Sequence, residues 1–358
     1  MTLTRLRLRD FRCFEQLDWY PGERWTLISG ENASGKTSLL EAIFFLGRGR
    51  SFRTARNEKL IRTGAQAFEL VGDIHSDRNH RLGVRRAARE SRWRLDGRDL
   101  RRMADIANVF PVLSIDTGAQ VMIEGGPENR RRFLDWGLFH VEQGFMQVWR
   151  RYRQALAQRN GAIRGRLNER AIATWDQAVA DAGEQLDACR QRQVRRLAGV
   201  FESMAASALG VDGVVLSYQS GWKEGLPLAE ALQRNRASDI RMGHTLSGPH
   251  RAELQIRVKG APARERVSRG QQKMLAACLL LSGARVFEEE RQRGVVVLVD
   301  DLPSELDRVH AARFAELLAT VQGQCFITGI ESERLVSLAP EGSTLFHVEQ
   351  GGLVPVQA

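Results

Sequence analysis

A chain of 358 residues is long enough for two or three domains and a sizeable core. No run approaches the roughly eighteen apolar residues that a membrane span needs, and Arg5, Arg7 and Arg9 interrupt the N-terminus where a secretory signal would be apolar, so a cytoplasmic protein with no membrane partner is expected. The formal net charge of +10, carried mainly by arginine, is compatible with a polyanionic partner but does not require one. Cys13, Cys189, Cys278 and Cys325 are scattered, with no CxxC and no nearby His spacing, which suits reduced core thiols better than a metal site or a disulfide framework.

From Thr4 to Leu8 the residues alternate as in a half-buried strand, and Trp25 to Ser29 form a short apolar run. The loop Gly30-Glu31-Asn32-Ala33-Ser34-Gly35-Lys36-Thr37 comes next, and Ser38 to Leu46 continues as an apolar helix. Phe68 to His75, Arg81 to Arg86 and Ser91 to Leu95 alternate between Gly or Asn boundaries and read as antiparallel strands. After Gly125-Gly126-Pro127 the period changes. Leu134, Leu138, Val141, Phe145, Val148 and Tyr152 form one helical stripe, expected to break at Asn160-Gly161; Trp175, Val179, Ala182, Leu186 and Cys189 form a second that runs on toward Phe201. Two such helices predict an antiparallel hairpin. Strands are expected again at Val214 to Tyr218 and Glu253 to Val258, then a largely buried helix from Gln271 to Glu289. A strand Val295 to Val299, a helix Val309 to Val321 and strands Cys325 to Thr328 and Thr344 to Val348 complete a βαβ alternation.

The glycine loop fits the strand, loop, helix context of a phosphate-binding loop. Its backbone N–H groups, from Gly30 through Ser38, would face the phosphates of ATP at the positive end of the following helix. Lys36 would neutralise the β and γ phosphates, and the Thr37 hydroxyl would ligate Mg²⁺. Asp300, closing the buried strand, is the expected second metal ligand. Asp301 is placed to orient or deprotonate the attacking water. Ser268-Arg269-Gly270-Gln271-Gln272 opens a helix and read alone is an N-cap. About thirty residues before such a strand it matches the signature of ABC ATPases, in which Ser268 and the Gly270 amide would grip ATP bound to a second subunit. An ATP-sandwiched homodimer is the consequence. The expected fold class is therefore α/β: an ABC-type P-loop ATPase head over 1–126 and 210–358, with antiparallel strands on its N-terminal lobe and an inserted α-helical arm over 127–209.

With these motifs the chain resembles the RecF family of bacterial DNA replication and repair proteins, SMC-like ABC ATPases. Leu8-Arg9-Asp10-Phe11-Arg12, the glycine loop and Gly47-Arg48-Gly49-Arg50-Ser51-Phe52-Arg53-Thr54 carry the match at the N-terminal side. Arg130-Arg131-Arg132-Phe133-Leu134-Asp135, Ser247-Gly248-Pro249-His250-Arg251, the Ser268 segment and Asp300-Asp301 to Asp307 complete it in family order. The resemblance implies an ATP-dependent clamp that binds double-stranded DNA and gaps or single-strand to double-strand junctions. It further implies action with RecR and RecO in loading recombinase, and slow hydrolysis with ATP as a dimerisation switch. Departures from the family pattern fall at Ala33, Pro303, Ser114 to Gln120, which holds the Q-loop candidate Gln120, and Ile330. Two other assemblies carry related ATPase motifs. A transporter subunit would hold its two motifs closer together, and an ABC-like nuclease would need a cleavage domain beyond Thr328. Arg85-Arg86, Arg101-Arg102, Arg130 to Arg132, Arg150-Arg151-Arg153 and Arg192-Arg195-Arg196 are candidate phosphate contacts or solvated faces. His250 is expected to be a hydrogen-bonded structural histidine.

Overall fold

The computed structural model describes residues 1–100, 102–349 and 351–356, apart from the side chain of Ala104, and Arg101 of the basic clusters lies outside them. The chain forms two compact units, Met1–Ala119 with Arg269–Ala358, and Gln120–Ser268. The first begins with β1 (Thr2–Phe11), β2 (Phe14–Trp19), β3 (Trp25–Ser29), α1 (Lys36–Arg48), β4 (Ala67–His75), β5 (Asn79–Ala87), β6 (Ser91–Leu95), β7 (Arg98–Asp99), α2 (Met103–Val109) and β8 (Val112–Ile115). The second holds α3 (Val121–Glu124), α4 (Pro127–Val141), α5 (Phe145–Arg164), α6 (Glu169–Ala173), α7 (Asp176–Leu209), β9 (Val214–Gln219), α8 (Leu228–Met242), β10 (Glu253–Val258), β11 (Ala261–Pro262) and α9 (Ala263–Arg266). The first then resumes with α10 (Arg269–Arg291), β12 (Val296–Val299), α11 (Arg308–Ala319), β13 (Cys325–Gly329), α12 (Ser332–Leu338), β14 (Thr344–Glu349) and β15 (Gly352–Val356).

Two sheets build the first unit. One is antiparallel in the order β2-β1-β4-β5-β6-β7; the other runs β15-β14-β3-β13-β12-β8, parallel except for β15. All residues of β3, β12 and β13 are buried, as strands covered on both faces must be, which explains why they read as unbroken apolar runs. Helix α1 is buried over Ser38–Gly47 and shares one core with both sheets. Phe45 stacks on Trp93 and meets Phe68 edge-on, while Trp19 meets Phe326 and Phe346. The parallel register sets Leu27, Ile327, Val299 and Ile115 level across four strands, so the residues just after them leave the sheet on one edge. In open parallel sheets ligands bind at that edge.

In the second unit α5 and α7 pack antiparallel, and Tyr152, Ala155, Val179, Ala182 and Leu186 share a core with Leu138 and Leu228. Two sequence expectations change here. The first stripe is two helices, broken after Val141, where Gly144 takes φ +83°, a conformation glycine adopts without steric cost. Asn160-Gly161 does not end α5; the Asn160 carboxamide instead accepts from the backbone N–H and hydroxyl of Thr245, and the helix continues to Arg164. The unit also extends past the expected arm limit of 209, because α7 is tied to the strand after it. Asp187 accepts hydrogen bonds from the hydroxyls of Tyr218 and Ser220 at 2.8 and 2.9 Å. Among the described residues no helix is long and apolar enough to cross a membrane.

Candidate nucleotide site

The loop between β3 and α1 has a backbone that only certain residues allow. Gly30 takes φ +152°, and a Cβ there would lie 2.6 Å from the Val348 carbonyl oxygen. At Gly35 φ is +122° and a Cβ would meet Cys13 Sγ at 2.9 Å. Ala33, where such loops usually carry glycine, is itself left-handed with φ +66°. A non-glycine residue in that region is strained by roughly 1–2 kcal/mol. Ala33 thus takes the left-handed conformation that glycine would adopt without that cost.

Lys36 is buried, and its Nζ donates to the carbonyls of Gly30 at 2.7 Å and Glu31 at 2.9 Å, so the ammonium is held inside the ring of the loop. The Thr37 hydroxyl donates to Asp300 Oδ1 at 2.9 Å, joining residues 263 apart in sequence. The same oxygen accepts from the Thr328 hydroxyl at 2.9 Å. Thr328 in turn accepts the backbone N–H of Asp301 at 2.9 Å, so one side chain fixes both aspartates. Asp301 stands at φ +52°, a strained position for a residue with a side chain, and its Oδ1 is buried without a partner among the described residues. The backbone beyond is pinned by Arg334, which donates to the carbonyls of Pro303 and Leu306, and by a Lys273–Glu305 ion pair. Pro303 lies in the first turn of the 3-10 helix Leu302–Glu305, where a missing N–H costs nothing. Asp307 caps α11 by accepting the His310 N–H.

Burial pushes the Asp300 carboxyl upward; hydrogen bonds from Thr37 and Thr328 oppose this, and Asp301 and Asp116 add to it. Asp116, one residue past β8, is likewise raised by burial and lowered only by the Gly118 N–H. Two carboxyls raised by burial, Asp300 and Asp116, suit a bound cation. Among the described residues no three His, Cys, Asp or Glu side chains form a ready-made metal cage. The Thr37 hydroxyl and the Asp300 carboxylate are oxygen donors of the kind and number that would fit Mg²⁺, whose remaining shell would be phosphate and water.

The structure thus brings together Gly30 to Ser38, Asp300 and Asp301. Thr328 and Asp116 were missed by sequence reasoning, since their roles depend on which strands are neighbours; being the first polar residues at a strand end was the only signal. Ser268 is the last residue of the second unit and Gly270 lies in the first turn of α10 in the first. A Cβ on Gly270 would meet nothing within 4 Å, so packing within its own chain does not demand glycine there. Gln120 lies at the start of the second unit, directly before α3.

The other motifs have structural work. Arg12 pairs with fully buried Glu41 of α1 through Nε at 2.7 Å and Nη2 at 2.8 Å, and Ser51 donates to the same carboxylate, so two N-terminal motifs meet at one charge on the helix between them. Arg130 makes a two-point contact with Glu253, at 2.8 and 2.9 Å, and donates to the carbonyls of Met122 and Gly125. His250 Nδ1 lies 2.6 Å from the Tyr152 hydroxyl and Nε2 lies 2.8 Å from the Thr245 carbonyl. Burial lowers its pKa to about 4, so it is a neutral structural residue.

A family model described as RecF/RecN/SMC N terminal domain matches residues 2–352. The chain is 41% identical over 359 residues to DNA replication and repair protein RecF of Chromohalobacter salexigens, covering 99% of each chain. It is 39% identical to the protein of the same name from Stutzerimonas stutzeri, over 98% of this chain and 96% of the relative. Among solved structures it is similar to the recombination mediator protein RecF-ATP in the RecFOR pathway, with a TM-score of 0.86 at 23% identity, covering 99% and 98% of the two chains. An SmcHead bound to the C-winged helix domain of ScpA matches with a TM-score of 0.63 at 15% identity, over 100% of this chain and 98% of that one. At these identities the two structures speak for the fold. A strained glycine loop, a hydroxyl-bound strand-end aspartate and full-length likeness agree: this chain belongs to the RecF family of DNA replication and repair proteins, on an SMC-like ABC-type ATPase fold.

Proposed function

We propose that this protein is an ATP-dependent DNA clamp of cytoplasmic recombinational repair. The observation that carries this reading is the Thr37–Asp300–Thr328 chain of hydrogen bonds beside the Lys36 loop. It supports Thr37 and Asp300 as the residues that would hold Mg²⁺, which when bound would neutralise phosphate charge. Lys36 would exchange its two loop carbonyls for phosphate oxygens. Asp301, with a free buried oxygen held at the sheet edge, would orient or deprotonate the attacking water.

The open face at Gly270 supports a partner-facing signature. Ser268 and the first turn of α10 would meet ATP on a second copy, so that nucleotide binding closes a homodimer and hydrolysis opens it. Relatives carry the name DNA replication and repair protein, and one structural neighbour is placed in the RecFOR pathway. Both support duplex DNA and junctions as ligands, and RecO and RecR as partners in loading recombinase. Hydrolysis is then slow and serves as a switch.

Light scattering with and without ATP tests the reading, together with retention of duplex DNA. The expected result is a dimer and DNA retention only with ATP, both abolished by Lys36→Ala. A wild-type protein that stays monomeric with ATP, or a Lys36→Ala variant that still retains DNA, would reject it.

A further inference from the structure

The second unit contains a cleft of about 500 Å³ walled by α4, α5 and α7. Arg153, Ala157, Asn160 and Arg164 line it from α5, at spacings of four, three and four that put them on one helical face. The acceptors in its wall are already engaged. Asp135 takes Arg190 at 2.9 and 3.0 Å and the Trp149 N–H at 3.3 Å, and Glu128 takes Arg132 at 2.5 Å. Both ring nitrogens of His250 have partners.

The donors are not used up. Arg153 lies over the Trp149 ring, 5.0 Å from its centroid, and neither Arg153 nor Arg164 makes an ion pair among the described residues. Because Thr245 occupies the Asn160 carboxamide oxygen, its NH₂ group is the end left to donate. Arg131 in the same wall donates to the Ala252 carbonyl at 2.7 Å and is held below the ordinary arginine range by burial first and then by Arg190, against the pull of Glu253, Glu128 and Asp135. A concave wall that offers donors and positive charge, with its carboxylates already neutralised, is complementary to an anion with several acceptor oxygens.

We infer that this cleft is a site for a phosphate group, specifically the phosphodiester backbone of a bound nucleic-acid strand, held by Arg153, Arg164 and the Asn160 amide. The inference rests on the DNA-binding reading above and adds a location within the second unit that is distinct from the nucleotide loop.

The test is the salt dependence of DNA binding with ATP present. A double variant, Arg153→Gln with Arg164→Gln, removes two exposed cations and should lower affinity at least tenfold at low salt. It should also reduce the slope of log affinity against log salt by about 2, since each phosphate contact contributes about 0.9. ATP binding should be unchanged, and Arg241→Gln, outside the cleft, should have a smaller effect on both. In a Cys13→Ser background, Ala157→Cys should crosslink to a DNA strand carrying a thiol-reactive group on its backbone. Unchanged affinity and slope in the double variant would overturn the inference while leaving the clamp reading intact. So would protection of Ala157→Cys by inorganic phosphate or ATP but not by DNA. Failure of the wild-type protein to bind DNA in any nucleotide state would overturn both.

Discussion

Thr328 shows how one hydroxyl can organise a site. It donates to Asp300 and accepts from the N–H of Asp301, so both aspartates depend on a residue from the neighbouring strand. Thr328→Val keeps the shape but leaves the part-buried Asp301 N–H without its acceptor. It is expected to cost about 1–3 kcal/mol in denaturant unfolding, and ATP turnover should fall beyond what that loss explains. Asp301→Asn keeps the hydrogen-bonding shape and removes the charge. It should bind ATP and accumulate the dimer without turning over; rapid hydrolysis by this variant would remove Asp301 as the base. At the same scale, Ala33 and Asp301 both occupy left-handed backbone that side chains avoid, one in the glycine loop and one beside Asp300. Strain of this kind persists only where the surroundings over-determine the conformation.

Among the elements, α5 carries the fully buried arginine of the second unit. Arg159 is fully buried and pairs with Asp176 at 2.8 Å and with fully buried Asp239 at 2.7 Å, joining α5 to α7 and α8. Arg159→Ala strands the Asp239 carboxylate and should destabilise by about 3–5 kcal/mol. The pair Arg159→Met with Asp239→Asn should recover part of that in thermal melts, because the uncompensated charge is then gone. Two turns earlier on the same helix, Tyr152 hydrogen-bonds His250, which burial keeps neutral. The folded pKa of about 4 lies below the ordinary 6.5, so between those values the unfolded chain binds more protons than the folded one. Stability should therefore fall as pH drops from 7 toward 4, by up to about 3 kcal/mol from this group. In His250→Gln, unfolding midpoints should show a flatter pH dependence over that range; an unchanged pH slope would mean that other groups govern it.

Across the whole molecule, the proposed switch requires two copies. Ser268→Arg should leave ATP binding to one protomer intact and block dimerisation, read by equilibrium nucleotide binding and light scattering on the same sample. A variant that dimerises normally with ATP would show that the Ser268 segment is only the cap of α10. The fold also answers why the first unit is discontinuous in sequence. Strand β8 enters the parallel sheet beside β12, yet the intervening chain forms a unit with its own helical core.

Most of the first unit was legible in the chain itself. Strand β3 runs from Trp25 to Ser29 as its apolar residues indicate, and the glycine loop announces its positive φ angles by composition. These are local properties, set by sterics and by burial on both faces of a strand. The break at Gly144, the continuity of α5 through Asn160 and the true extent of the second unit were not legible, because each depends on partners distant in sequence. Gly144 is one of many glycines until its φ is known, and Asn160 is a helix breaker until Thr245 satisfies it. Thr328 and Asp116 likewise become site residues only when the parallel register sets their strands beside Asp300. Sequence by itself determined the loop, the strand-end aspartates and the family. Only the tertiary structure decided which distant donors and acceptors meet, since burial and hydrogen-bond satisfaction are properties of the assembled sheet and helices.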